Sequence, residues 1–250
     1  MIDDLREALN QDFAPKRALA IVAHPDDIEY FCGGTLAKWI TSGCTVSYLV
    51  TTSGDKGSAD LDADTVSLVR IRESEQEASA RTLGVQDVTF LRYPDSELGQ
   101  VNQNDLRAEF VRHIRRTRAE VILSHDPLVR FARQHPDHRV VGQLALDASF
   151  PISAVAQCYR EQIQDEGLSV WQPSYMLQFG TDQSNFWSDI GATLDLKVAA
   201  LRAHVSQERA FPGGIEKRLR WKAAQCGAPR NLAAAEEFLL VQLSARIPVA

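Results

Sequence analysis

Residues 21–37 read IVAHPDDIEYFCGGTLA, an apolar segment that runs directly into a histidine, a proline and two adjacent aspartates. The overlapping run RALAIVA at residues 17–23 is short and continuously apolar, which is typical of a strand covered on both faces. In an open parallel sheet, the residues that directly follow a strand face the ligand crevice. His24, Asp26 and Asp27 are therefore candidate functional residues.

Helix-like and strand-like segments alternate after this stretch. The sequence predicts helices over residues 35–43, 68–84 and 106–119, and strands over residues 45–54, 87–93 and 120–125. This alternation predicts an α/β fold: a Rossmann-like, mostly parallel sheet with helices on both faces and a site at the carboxyl ends of the strands.

The C-terminal part of the sequence is harder to interpret. It predicts a strand over residues 173–180, helices over 194–207 and 216–227, and an edge strand over 236–243. We expect a single domain over residues 1–250, with a core over about 17–207 and the C-terminal helices and edge strand within 208–250.

The composition excludes several classes of protein. The chain has 250 residues, of which 44% are apolar and 24% charged, as in an ordinary globular protein. A net charge of −6 with interspersed signs provides no basic stripe for a phosphate backbone, which argues against a nucleic-acid partner. No run approaches the roughly 18 apolar residues of a membrane span, and the acidic start at residues 1–17 is unlike a signal peptide. We therefore expect no membrane association and a cytoplasmic location.

A second polar cluster, SHDPLVRFARQHPDHR, occupies residues 124–139. It follows a predicted strand whose carboxyl end lies at the same edge of the sheet, so the two clusters are expected to meet. Within the second cluster, His135 can cap a helix that begins at Pro136, and Asp137 in the first turn complements the helix dipole. His138 then lies one turn from His135.

Together the two clusters offer the ligands of a hydrolytic metal. Two imidazoles and one carboxylate form a three-ligand set of the kind used by catalytic zinc, which leaves one position for water. His24 and Asp27 are three residues apart and can point to one side, while Asp26 points elsewhere. A metal lowers the pKa of its bound water toward about 7, and a free carboxylate nearby is a natural general base. Spacing alone does not decide whether His135 or His138 completes the set.

Two further histidines are not expected to be ligands. His113 lies between charged residues on a predicted helix face and is expected to be solvated. His125 follows a strand, and a structural or supporting role is favoured over ligation.

At this point the sequence resembles the LmbE-like, or PIG-L, deacetylase family. The resemblance rests on AHPDDIEYFCGGTLAKW, TSGDKGS, FLRYPDSEL, HPDHRVVG and ALRAHVSQ, which lie in this order between about residues 17 and 207. Many family members read AHPDDE, whereas Ile28 precedes the acid here, which is Glu29. His204 and Gln207 of the last motif are assigned a structural role.

The resemblance implies a zinc-dependent hydrolase that removes an acetyl group from an N-acetylglucosamine-type sugar. By the same resemblance, the metal ligands are His24, Asp27 and His138, and the general base is Asp26. His135 would stabilise the oxyanion or protonate the leaving amine, with Asp137 as its orienting partner.

Arg72 and Asp95 match family positions that approach the sugar. The fork of donors on Arg72 suits vicinal hydroxyls, but a solvated ion pair with Glu75 or Gln76 on an exposed helix face is the alternative. Asp95, in YPDSE, also fits ordinary turn chemistry.

Several alternatives remain open on sequence alone. An amidase that cleaves a larger sugar or thiol conjugate would use the same site, and the loops at 55–64 or after Pro151 would decide between the two substrates. A non-catalytic sugar- or nucleotide-binding domain predicts no tightly held metal. The ligand set also suits Fe²⁺, although the additional carboxylate favours hydrolysis over redox chemistry. The expected partner is a soluble N-acetylated sugar, and a symmetric homo-oligomer is compatible with the sequence.

Overall fold

The computed structural model describes residues 13–130 and 134–244. Three parts of the sequence-based predictions lie outside these residues: most of the acidic start, residues 131–133 of the second polar cluster, and the last six residues of the predicted domain.

The described residues form alternating strands and helices. The strands are β1 (Arg17–Val22), β2 (Thr45–Thr52), β3 (Asp87–Tyr93), β4 (Val121–His125), β5 (Tyr175–Phe179), β6 (Phe186–Asp189) and β7 (Ala235–Gln242). The helices are α1 (Asp27–Thr41), α2 (Thr65–Leu83), α3 (Gln103–Thr117), α4 (Pro136–Ser149), α5 (Arg160–Gln164), α6 (Leu194–Leu201) and α7 (Ile215–Gly227). Across the ranges 13–130 and 134–244, no helix is long and apolar enough to cross a membrane.

All seven strands belong to one sheet in the order β3-β2-β1-β4-β5-β7-β6. Strands β1 to β5 run parallel, and β7 runs antiparallel to both β5 and β6. The chain adds β2 and β3 on one side of β1 and then β4 on the other, so β1 and β4 flank a topological switch point. Ligands bind at such a point, outside the carboxyl ends of the strands.

Helices cover both faces of this sheet, which confirms the predicted fold class. Alternate residues of β1 enter two separate cores: Ala18, Ala20 and Val22 face one, and Leu19 and Ile21 face the other. Helices α1 and α2 pack on the first core, and α3 and α4 pack on the second. The apolar run at 17–23 is therefore explained by a strand buried on both faces.

Two predictions for the C-terminal part are wrong. The strand predicted at the edge, β7, is hydrogen-bonded on both sides, and the edge position belongs to β6, a four-residue strand. The helix predicted over residues 194–207 ends at Leu201, and a separate 3₁₀ helix covers Val205–Ala210. The sequence of β7, AEEFLLVQ, does not distinguish an edge strand from an interior one, so its pattern does not reveal its neighbours.

A buried ion pair joins the C-terminal segment to helix α1. The side chains of Lys197 on α6 and Glu236 on β7 form the pair, and each is only 3% exposed. The Glu236 carboxylate also accepts hydrogen bonds from the backbone N–H groups of Gly34 (2.9 Å) and Thr35 (2.7 Å). The Lys197 ammonium donates to the carbonyl oxygen of Tyr30 at 3.0 Å. Both charges are therefore satisfied at the middle of α1.

We predict that Lys197→Met destabilises the protein by about 3–5 kcal/mol, because it leaves the Glu236 carboxylate buried without its counter-ion. Urea unfolding followed by circular dichroism measures this change. The matched control is Arg220→Met, which breaks the exposed pairs with Glu216 and Asp195 and is expected to leave the unfolding midpoint nearly unchanged. An equal midpoint shift in the two variants would show that the buried pair contributes no more to stability than the exposed pairs do.

Candidate metal centre

The structure brings the two polar clusters together at the switch point. His24, Asp26 and Asp27 lie between the end of β1 and the first turn of α1, while His135 and His138 lie at the start of α4. Three local features place α4 there. His135 is the N-cap residue, its ring Nδ1 accepts from the backbone N–H of Asp137 at 3.2 Å, and proline occupies the first helical position.

Close packing of α4 against β4 sets the position of His138. A Cβ atom at Gly142 would lie only 2.4 Å from the carbonyl oxygen of His125, so this part of the helix can approach the strand end only where residue 142 has no side chain. The glycine of the HPDHRVVG motif is thereby explained.

Three residues bring potential ligand atoms to separations close to those of a zinc site, with each histidine nearest a different oxygen of Asp27. The Nδ1 atom of His24 is 3.2 Å from Nε2 of His138 and 3.5 Å from Oδ2 of Asp27, and His138 Nε2 is 3.2 Å from Asp27 Oδ1. Zinc–ligand bonds of about 2.0–2.1 Å correspond to ligand–ligand separations of about 3.4 Å in a tetrahedron. These residues therefore fit a zinc ion without rearrangement of the backbone.

A second group, His24, His135 and Asp137, also brings ligating atoms within reach of one another. Its aspartate is hydrogen-bonded to the backbone through both oxygens, however, whereas Asp27 accepts from the backbone N–H of His24 through Oδ2. The Nδ1 atom of His135 caps α4, and the two Asp137 carboxylate oxygens accept from the backbone N–H groups of Ser96 (2.7 Å) and Leu98 (3.2 Å). The geometry therefore favours the group His24, Asp27 and His138.

The centre is strongly negative. Burial by itself would lower the pKa of His24, but the carboxylates of Asp137, Asp27 and Asp95 raise that pKa well above its usual value. Three carboxylates converging on one imidazole stabilise positive charge at this point, whether it is carried by a protonated ring or by a metal ion.

His125 lies in the interior beside Asp27 and His138. Its ring is buried, its Nε2 lies 3.3 Å from Asp27 Oδ2, and the ring stacks on His138 at a centroid distance of 3.9 Å. Burial and the neighbouring His138 lower the pKa of His125 to about 4, so the ring is neutral. This position matches the supporting role that the sequence favours.

Asp26 has an unusual backbone for a non-glycine residue. Its φ of 95° lies in the left-handed region, and although it is the N-cap residue of α1, its side chain makes no capping hydrogen bond. The carboxylate is turned instead toward Arg72, with 3.5 Å between Asp26 Oδ2 and Arg72 Nη2. Burial raises the pKa of Asp26 to about 6; the Arg72 guanidinium opposes this rise, and the charge of Asp27 adds to it. A carboxylate with this pKa is suited to exchange a proton near neutral pH.

Arg72 lies inside the protein, and the alternative of an exposed ion pair on the surface of α2 is wrong. The residue is 3% exposed, and its guanidinium donates to the carbonyl oxygens of Gly54 (3.0 Å) and Pro25 (2.6 Å). Cβ atoms at Gly54 and Gly57 would lie 2.4 and 2.2 Å from Arg72 Nη1. The two glycines of TSGDKGS therefore make room for this guanidinium.

Asp95 faces the centre from the loop after β3. Its carboxylate Oδ1 is 3.1 Å from Nε2 of His24, and its backbone N–H donates to the Asp55 carboxylate at 2.9 Å. Burial would raise the pKa of Asp95, but the hydrogen bonds of His24 and Ser96 lower it to about 2. Asp95 is thus a permanently charged neighbour of His24 in addition to being part of a turn.

One histidine lies elsewhere than predicted, and one buried polar residue at the site was not predicted. His113 is 4% exposed, not solvated, and its Nδ1 is 2.9 Å from the carbonyl oxygen of Glu109 on the same helix. Gln76 is fully buried and accepts a hydrogen bond from the backbone N–H of Asp26. A glutamine among the many polar residues of α2 gives no sequence signal, because the pattern does not show which polar positions turn inward.

Comparison with known proteins gives a consistent result. The family model described as "PIG-L: GlcNAc-PI de-N-acetylase" matches residues 19–149, which include every residue of the candidate centre. Diacetylchitobiose deacetylase of Thermococcus kodakarensis is 31% identical over 216 residues, a match that covers 86% of this chain and 78% of that protein.

Two further relatives extend the similarity over most of the chain. The 1D-myo-inositol 2-acetamido-2-deoxy-alpha-D-glucopyranoside deacetylase of Thermobispora bispora is 29% identical, covering 91% of this chain and 88% of that protein. The solved structure of N,N'-diacetylchitobiose deacetylase from Pyrococcus horikoshii, complexed with its inhibitor MPG, is 28% identical with a TM-score of 0.82. That match covers 97% of this chain and 93% of the other.

We predict that His138→Ala weakens zinc binding by more than about 100-fold, since loss of a direct ligand exceeds the effect of losing a supporting partner. His135→Ala is expected to weaken it by less than about 10-fold, because His135 only borders the ion. Titration of the metal-free protein with zinc against a chelator of known affinity measures both variants. A larger loss in His135→Ala than in His138→Ala would assign the ion to the group of His24, His135 and Asp137 instead.

Proposed function

Because this chain belongs to the PIG-L family, we propose that it is a metal-dependent hydrolase that removes the acetyl group from an N-acetylglucosamine-type sugar or glycoside. The observation that carries the proposal is the set of ligating atoms on His24, Asp27 and His138, spaced 3.2–3.5 Å apart, with the Asp26 carboxylate on the adjacent residue. The relatives named above are deacetylases of N-acetylated sugars.

We propose Zn²⁺ as the ion, with Fe²⁺ as the alternative that the same ligands accept. Metal dependence is typical of the family. When bound by these residues, the ion would lower the pKa of water and polarise the acetyl carbonyl. The surplus of carboxylates around His24 supports a cation at this position.

Asp26 is proposed as the general base that takes the proton from the attacking water. Its pKa near 6 leaves it ionised at neutral pH yet basic enough to accept a proton. Arg72, held between backbone carbonyls, keeps the Asp26 carboxylate from turning into its usual capping position.

His135 is proposed to stabilise the oxyanion. Its Nδ1 accepts the Asp137 N–H, so in the neutral ring the proton resides on Nε2, where it can be donated to a developing negative charge. Burial and the charges of His24 and His138 lower the pKa of His135, which favours this neutral form. Asp137 orients the ring through its backbone N–H, while its carboxylate lies 4.0 Å from Nδ1.

Arg72 and Asp95 are proposed to contribute to substrate binding. Asp95 is the better supported of the two, because its carboxylate lies at the edge of the centre.

We also propose that residues 1–250 form one domain with a cytoplasmic location, without membrane or nucleic-acid partners, and that this domain can assemble as a homo-oligomer. The joining of β7 to the sheet of β1 supports the single domain.

We predict that Asp26→Asn lowers kcat for acetate release from N,N'-diacetylchitobiose by about 100- to 10,000-fold, because the general base is lost. The bound zinc, measured by elemental analysis, is expected to stay near one ion per chain. The control is Asp64→Asn, since asparagine still caps helix α2 and the residue is exposed.

The result separates the alternative functions. If the wild-type protein binds metal but releases no acetate from this sugar or from N-acetylglucosamine, its substrate is another acyl compound, such as a larger thiol–sugar conjugate. A folded wild-type protein that holds no metal after zinc is supplied would refute the hydrolase and favour a binding domain.

We predict that Gly57→Ala lowers kcat by about 10- to 100-fold, because its Cβ, 2.2 Å from Arg72 Nη1, displaces the guanidinium that orients Asp26. Gly99→Ala is the control, since a Cβ there meets no atom within 4 Å. Activity is compared with zinc content and melting temperature for both variants. Wild-type kcat in Gly57→Ala would show that the position of Arg72 is not needed.

A further inference from the structure

The left-handed backbone of Asp26 needs a partner that stabilises it. A non-glycine residue at φ 95° is strained, and such strain persists only where the surrounding structure imposes it. The side chain contributes no helix cap, so the constraint must act on the backbone or through Arg72. One direct contact with the Asp26 backbone N–H comes from a different helix.

That contact is made by Gln76 on α2. The side-chain oxygen of Gln76 accepts from the Asp26 N–H at 3.0 Å, and its amide nitrogen donates to Glu29 Oε1 at 2.9 Å. The orientation of the amide is fixed, because a backbone N–H can only donate and a carboxylate can only accept. Gln76 and Glu29 are both fully buried, so neither hydrogen bond can be exchanged for water.

The second carboxylate oxygen of Glu29 faces His204. The ring Nε2 of His204 is 3.3 Å from Glu29 Oε2, and both side chains are fully inaccessible to solvent. The segment that carries His204 is itself anchored to α2, because Ser206 donates from its backbone N–H (2.8 Å) and its hydroxyl (2.6 Å) to the Glu75 carboxylate. The AHVSQ motif thus places a buried imidazole beside the Glu29 carboxylate.

Gln207 connects the same segment to the loop around Arg72. Its side-chain amide donates to the carbonyl oxygen of Gly57 at 3.2 Å. The motif therefore reaches Asp26 by two routes. His204 lies beside Glu29, which accepts a hydrogen bond from the Gln76 amide, and Gln207 binds the loop that encloses the guanidinium of Arg72.

We infer that Gln76 is a positioning residue for Asp26, held in register by Glu29 and His204. It fixes the left-handed turn in which the Asp26 carboxylate faces Arg72 while Asp27 on the next residue faces the histidines. This inference rests on the proposed function, in which Asp26 is the general base, and it extends that function to residues that contact neither metal nor substrate.

A double-mutant cycle tests the inference. The variants are Gln76→Leu, Asp26→Asn and the double variant, and the readouts are kcat and KM for acetate release from N,N'-diacetylchitobiose by zinc-loaded enzyme. We expect Gln76→Leu to lower kcat by about 10- to 100-fold with KM and zinc content unchanged. In the Asp26→Asn background, the same substitution should lower kcat by less than about twofold, because the group it positions is already absent.

Thr35→Val is the matched control for loss of a buried hydrogen bond. The Thr35 hydroxyl donates to Glu236 at 2.5 Å from helix α1, far along the helix from Asp26. It is expected to lower the melting temperature while leaving kcat near the wild-type value. If Gln76→Leu does not fold, Gln76→Met, which is similar in length, gives the same comparison.

Failure of this inference and failure of the proposed general base give different results. If Asp26→Asn lowers kcat and the loss from Gln76→Leu is as large in the Asp26→Asn background as in the wild type, Gln76 does not act through Asp26 and the inference is overturned. If Asp26→Asn itself leaves kcat unchanged, the proposed general base is wrong irrespective of Gln76. Near wild-type kcat in a folded, zinc-loaded Gln76→Leu would also overturn the inference.

Discussion

The Asp27 carboxylate is the fixed charge around which the rest of the site is arranged. It is 6% exposed and lies where the carboxyl ends of β1 and β4 meet. It accepts from the backbone N–H of His24 at 2.8 Å and contacts the rings of His138 and His125 at 3.2 and 3.3 Å. Burial would raise its pKa, but these two imidazoles hold that pKa well below its usual value. A permanent negative charge is thereby kept at the switch point of the sheet.

The pKa values of the two adjacent aspartates shift in opposite directions, because the backbone turn between them gives their side chains different neighbours. The pKa of Asp26 is raised to about 6, whereas that of Asp27 is lowered. The left-handed φ of Asp26 separates the two side chains, so that Asp27 meets imidazoles and Asp26 meets the guanidinium of Arg72. Environments that push the pKa values of two carboxylates apart allow chemically identical groups to take different roles in one site.

Much of this arrangement was predictable from sequence, because it depends on local patterns and on the geometry of parallel sheets. The apolar run before His24 and the predicted strand over residues 120–125 were enough to place both polar clusters at one edge. The inward turn of Arg72 and the burial of His113 were not predictable, since both lie on helices whose polar positions look alike. Spacing also left His135 and His138 equivalent, and the structure separates their surroundings: His135 caps α4 through Nδ1, whereas Nε2 of His138 lies 3.2 Å from Asp27 Oδ1.

The role of the C-terminal segment was the hardest to predict from sequence, because this segment stabilises the protein through tertiary contacts with α1. Glu236 binds the middle of α1, and His204 contacts Glu29 in its first turn. Both contacts pair a buried cation or imidazole with a buried carboxylate, and such pairs leave no periodic trace in either segment. Since α1 begins at Asp27, a shift of this helix would move the central carboxylate itself. The distant strand therefore stabilises the middle of α1, whereas the AHVSQ motif contacts its first turn, next to Asp27.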